Sequence, residues 1–146
     1  MKYILLDFDG VLTSAAYSRQ CLDEHRQENL FGLDWFDPKC LQALKTVVDA
    51  TDAGIVVSSS WRELGKDNLA LVWEEENLPG RLVGTTPEWV LMKKAAILEW
   101  FSLHTADKYV ILDDQDLHLP NQIQTNPEVG LTMEDSLNAI SLLNDE

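Results

Sequence analysis

The sequence predicts an α/β protein, a parallel sheet with helices on both faces and three layers in all. Three observations lead there. Residues 2–7, 55–57, 81–83 and 109–112 are short apolar runs of strand length, rich in Ile, Leu and Val. Segments of helical periodicity separate them. Such an alternation, with strands apolar on both sides, requires a parallel sheet covered on both faces. Finally, three of the runs end in clusters of Asp or Ser, and open parallel sheets bind ligands beyond the carboxyl ends of their strands.

Taken in order, residues 2–7 read as a buried strand ending at Asp7. Residues 10–36 are polar and irregular, with Gly10 and Gly32, and are expected to form turns and a short flap. A helix follows over 38–52, with Asp37 as N-cap and Pro38 at its first position. Residues 55–57 form the second strand, ending in Ser58-Ser59-Ser60, and residues 62–76 a helix broken by Pro79-Gly80. Residues 81–83 are a third strand. Thr86 is expected to cap a helix over 87–103. Residues 109–112 are the fourth strand, ending in Asp113-Asp114, and residues 128–130 a short fifth. Thr132 opens a last helix with Asp135 three residues on, a capping-box spacing.

The 146 residues suit one domain, and 45% apolar content suffices for one core. No apolar run is long enough for a membrane span, and the N-terminus lacks a secretory pattern, so a cytoplasmic location and no membrane partner are expected. Cys21 and Cys40 have neither CxxC spacing nor His partners, so free thiols are expected. The net charge of −14 argues against strong non-specific nucleic-acid binding, which depends on many Lys and Arg contacts. His25, His104 and His118 show no partner pattern. Oligomeric state is not legible.

Four elements carry chemistry. Asp7-Phe8-Asp9-Gly10-Val11-Leu12-Thr13 follows the first strand. Two carboxylates about 4 Å apart repel by roughly 4 kcal/mol at an effective dielectric near 20, which a cation or proton relieves. Ser58-Ser59-Ser60-Trp61-Arg62 places hydroxyls and a guanidinium at the second strand end, able to hold phosphate oxygens or simply to cap a helix. Asp113-Asp114 supplies adjacent carboxylates suited to a hard cation such as magnesium. Lys93-Lys94 lies in an otherwise apolar segment, where one lysine could neutralise the site.

In this order along the chain, the four elements resemble the haloacid dehalogenase (HAD) superfamily, a three-layer Rossmann-like fold. A closer similarity is to the small HAD domains associated with Swiss Army Knife RNA-repair proteins. It rests on Trp35-Phe36-Asp37-Pro38, Val57-Ser58-Ser59-Ser60-Trp61-Arg62, Gly84-Thr85-Thr86-Pro87, and Ile97-x-x-Trp100-Phe101 before Leu112-Asp113-Asp114. In that pattern a basic residue precedes the isoleucine by four, which selects Lys93 over Lys94. Ser58 is preferred among the serines as the first after its strand.

The resemblance implies a magnesium-dependent phosphatase without a large cap domain. Asp7 would be the nucleophile and Asp9 the general acid and base. Asp7, Asp9 (through its backbone carbonyl), Asp113 and Asp114 would serve Mg2+. Gly10, Ser58, Ser59, Arg62 and Lys93 would meet the phosphate. It also implies the fourth strand beside the first and the first beside the second. A nucleic-acid end or a nucleotide is the suggested substrate, with Trp35 and Trp61 as candidate stacking platforms. A small-metabolite phosphatase and a non-catalytic binding module of the same fold are the alternatives.

Overall fold

The computed structural model describes residues 1–27 and 29–144. Five parallel strands, β1 (Lys2–Leu6), β2 (Gly54–Val57), β3 (Arg81–Thr85), β4 (Lys108–Asp113) and β5 (Gln122–Gln124), form one sheet in the order β3-β2-β1-β4-β5. The central strand therefore has β2 on one side and β4 on the other, as the resemblance implied.

Strand side chains alternate between faces, and the alternation sorts the core into two layers. Ile4, Leu6, Ile55, Val57, Val110 and Leu112 point to one face. There they meet α2 (Pro38–Thr51), α3 (Gly65–Glu75) and α5 (Met133–Asn144) through Leu44, Val47, Leu69, Val72, Ala139 and Leu143. Leu5, Val56 and Ile111 point to the other face, against Ile97 and Trp100 of α4 (Lys93–Leu103). Every one of these side chains is almost wholly removed from water. Cys21 and Cys40 are free and buried. Among the described residues, no helix is long and apolar enough to cross a membrane.

Several expected elements are corrected. The 10–36 region holds a regular helix, α1 (Ala15–Asp23), whose N-cap Ser14 accepts from the Tyr17 amide. Only Cys21 of that helix is buried, so it carries no apolar stripe. A 3₁₀ turn, Leu30–Gly32, follows it. The expected helix over 62–76 is a 3₁₀ turn, Ser60–Leu64, leading into α3. Thr86 caps nothing: its amide donates to the Val57 carbonyl, extending the β2–β3 pairing, and α4 begins only at Lys93. The fifth strand is at Gln122–Gln124, and residues 128–130 lie in a turn closed by an antiparallel bridge between Asn126 and Gly130. The Thr132/Asp135 capping box is present, each residue's side chain accepting from the other's amide at 3.0–3.1 Å.

Candidate active site

The β1 strand ends at Leu6, but its pairing continues for one residue, because the Asp7 amide donates to the Leu112 carbonyl at 3.0 Å. The chain then turns tightly. The Phe8 carbonyl accepts from the amides of Val11, Leu12 and Thr13. Phe8 itself is buried, edge-on to Phe36 and tilted against Trp73. This anchor separates the two carboxylates: Asp7 turns inward, 5% exposed, while Asp9 remains at the surface. Gly10 makes the close approach possible. Its φ is +80°, and a Cβ there would stand 2.4 Å from Asp114 Oδ2.

Asp113 closes β4 and is fully buried, its Oδ1 accepting from the Gln115 amide at 2.9 Å. Asp7, Asp113 and half-buried Asp114 each bring one carboxylate oxygen within 4.8 Å of the others. Lys93 reaches them from the first turn of α4. Its Nζ is 3.2 Å from Asp7 Oδ2 and 3.0 Å from Asp113 Oδ2. Helix geometry directs it there, because Lys93, Ile97 and Trp100 lie at i, i+4 and i+7 on the face that packs on the sheet. Lys94, one residue on, is exposed.

The charges do not balance. Burial, and next the charge of Asp113, raise Asp7 to about 7, with Lys93 pulling the other way. Asp114 is raised by burial and by Asp113. Burial lowers Lys93, but Asp7 and Asp113 outweigh it and hold its ammonium above the ordinary lysine range. Three carboxylates thus share one ammonium. Asp113 Oδ2, although near that ammonium, has no aligned hydrogen-bond donor. A buried carboxylate that shares its one ammonium with a second carboxylate, with a third close by, is a donor set suited to a hard divalent cation, so the residues present fit Mg2+.

Ser58 stands at the end of β2, its amide donating to the Leu6 carbonyl at 2.9 Å. Its hydroxyl is fully buried and has no hydrogen-bond partner among the described residues, so its donor is unspent. Ser59 and Arg62, expected at the phosphate, are engaged elsewhere. Ser59 Oγ caps the 3₁₀ turn by accepting from the Trp61 amide. The buried Arg62 guanidinium donates to Thr86 Oγ1 at 3.1 Å and to the carbonyls of Val90 and Leu91. Both residues brace loops around the site. Asp9 lies outside the carboxylate cluster, and its Oδ2 accepts from the Trp61 indole at 3.3 Å. Sequence reasoning missed that indole contact. It also missed Thr125, whose hydroxyl donates to the Gly10 carbonyl at 2.7 Å. Neither has a local signal, since both partners are remote in sequence.

A cavity of about 490 Å3, apolar, lies between α2 and the start of α5, lined by Pro38, Gln42, Val129, Leu131 and Met133. It holds none of these groups, so the chemistry, not the cavity size, locates the site. The family model described as "HAD domain in Swiss Army Knife RNA repair proteins" matches residues 3–136. No curated protein and no solved structure matches the chain.

Proposed function

Because the chain belongs to the family of HAD domains in Swiss Army Knife RNA repair proteins, we propose that it is a magnesium-dependent phosphoric monoester hydrolase that works through an aspartyl-phosphate on Asp7. The observation that carries this reading is the buried Asp7 carboxylate, held 3.2 Å from Lys93 Nζ beside Asp113, with Asp9 two residues further on.

In this reading Asp7 attacks phosphorus, and the bond between phosphorus and the leaving oxygen breaks. Asp9 gives that oxygen its proton, then takes a proton from the water that attacks the phosphorus of the aspartyl-phosphate. Phosphate leaves and Asp7 is restored. Asp9 can reach both the leaving oxygen and the water because it is at the surface, and the Trp61 indole orients its carboxyl. Lys93 and the Ser58 hydroxyl supply donors to the transferring phosphoryl group, and Gly10 lets backbone amides come near it. Magnesium, held by Asp7, Asp113, Asp114 and the Asp9 carbonyl, would neutralise the carboxylates and the phosphoryl oxygens.

A phosphorylated substrate follows from this chemistry. The family description names RNA repair, which favours a substrate built from nucleotides, either a nucleic-acid end or a single nucleotide. The test is phosphate release from a generic aryl phosphate with and without Mg2+. Activity should require the metal and vanish in Asp7→Asn. An Asp7→Asn protein with undiminished magnesium-dependent activity refutes the assignment.

A further inference from the structure

An open cleft of about 480 Å3 lies beside Asp9, within the ~300–1,000 Å3 range of small-molecule sites. Leu22 and residues 32–35 of the flap line it, together with Asp9 and Trp61. Trp35 and Trp61 both line it, together with the carboxylates of Asp9 and Asp34. Both indole N–H groups are engaged, Trp61 with Asp9 Oδ2 and Trp35 with the Gln27 carbonyl at 2.8 Å. Both tryptophans are half-buried and Trp61 packs partly against the core, so what they offer a ligand is the apolar ring surface left facing the cleft.

The cleft's charge is one-sided. Among the described residues, no Lys, Arg or His lines it. The two arginines of the flap are paired elsewhere, Arg19 with Glu128 and Arg26 with Glu24. The Asp34 carboxyl accepts from the Ser18 hydroxyl and the Trp35 amide, so it offers the cleft acceptors and no donor for phosphate. A phosphate placed here would meet two carboxylates and no counter-charge.

We propose that this cleft is the leaving-group subsite, and that it takes one nucleoside, stacked by its base on indole, whose only phosphate is the one transferred. The proposal rests on the phosphatase reading and adds a selectivity to it. Nucleoside monophosphates are preferred. Nucleoside diphosphates and phosphorylated oligonucleotide ends, whose leaving groups carry a further phosphate into the acidic cleft, are disfavoured. Position supports the assignment, because Asp9, which protonates the leaving oxygen, is itself part of the lining. Volume supports it too, since the cleft exceeds what a phenol or a short polyol needs.

The test compares kcat/KM for adenosine 5′-monophosphate, adenosine 5′-diphosphate, a 5′-phosphorylated trinucleotide and glycerol phosphate. The monophosphate should exceed the diphosphate and the trinucleotide by about tenfold or more, equivalent to ~1.4 kcal/mol. Asp34→Asn should narrow that gap. Trp35→Leu should cut the preference for adenosine monophosphate over glycerol phosphate by about tenfold, through KM, as loss of one stacked base predicts. A separate readout uses no turnover: adenosine should quench tryptophan fluorescence of the Asp7→Asn protein, and Trp35→Leu should abolish the effect. A protein that quenches with adenosine but hydrolyses nothing refutes the phosphatase reading and keeps the subsite. A trinucleotide hydrolysed as well as the monophosphate, or adenosine without effect on fluorescence, overturns the subsite.

Discussion

Asp7 is buried and, to be a nucleophile, must also be charged. The fold alone does not favour that state: burial and Asp113 raise it to about 7. A carboxyl raised in the folded state stabilises the fold below its unfolded value and loses that contribution as pH rises through the folded value. Asp114 has the same sign. Metal-free protein should therefore melt at a lower temperature at about pH 8 than at about pH 5.5, and Mg2+ should recover most of the difference, because it binds the deprotonated site. Asp7→Asn should flatten the pH dependence. Calorimetry across that window, with and without the metal, checks it, and a flat profile for the metal-free wild type contradicts it. The two lysines divide more sharply. Lys93→Met should lower kcat by about 10²–10³-fold, the scale for losing one preorganised donor. Lys94→Met, at an exposed position, should stay near wild type in the same assay. Asp7, Ser58 and Asp113 were legible because each ends an apolar run, where a polar side chain has no packing reason to be. Lys93 was not legible from its neighbourhood, since Lys94 stands in the same surroundings; the family spacing to Ile97 selected it, and the 3.0–3.2 Å contacts agree.

At the scale of elements, the informative discrepancy is α4. Thr86-Pro87 is a strong helix-start signal, yet residues 87–92 form a turn and the helix opens at Lys93. The physical reason is Arg62. Its guanidinium, buried without a carboxylate, draws the carbonyls of Val90 and Leu91 and the Thr86 hydroxyl to itself. Those contacts hold residues 90–91 in the turn that precedes the helix. One cation thus ties the turn after β2, which presents Ser58, to the turn before α4, which presents Lys93. Arg62→Leu should cost about 1–3 kcal/mol by leaving the buried Thr86 hydroxyl and the half-buried Val90 carbonyl without their shared donor. Arg62→Lys should recover only part, because a point ammonium cannot reproduce the planar fork. Thermal melts rank the three proteins, and equal melting temperatures contradict the brace. The missed α1 has the opposite origin. A helix with one buried residue has no periodicity to read, and its Ser14 cap also serves another contact, donating to Asp37 Oδ2 at 2.7 Å. The displaced fifth strand is a third case: Gln122-Ile123-Gln124 carries a single apolar residue, and its pairing with β4 through Ile111, Leu112 and Asp113 decides its place.

Over the whole molecule, the site is a consequence of strand order. With β1 between β2 and β4, the ends of three sequence-distant strands meet, so Asp7, Ser58 and Asp113 share one edge. The β-α alternation foretold the parallel sheet, and the side-chain layers on its two faces follow from strand periodicity alone. The order of the strands was not contained in any local pattern; only the resemblance supplied it. Net charge acts at this scale as well. At −14 the protein repels polyphosphate at long range, and the acidic cleft by Asp9 repeats that bias at close range. Against this background, one basic side chain, Lys93, stands among the three carboxylates of the cluster, so on the proposed reading turnover should require an added divalent cation. The direct test of covalent chemistry at Asp7 is an acid-quenched single turnover followed by peptide mass spectrometry. In the presence of Mg2+ the peptide holding Asp7 should gain the mass of one phosphoryl group, transiently, and the Asp7→Asn protein should gain none. Magnesium-dependent phosphate release that persists in Asp7→Asn, with no phosphorylated Asp7 peptide in the wild type, would contradict it.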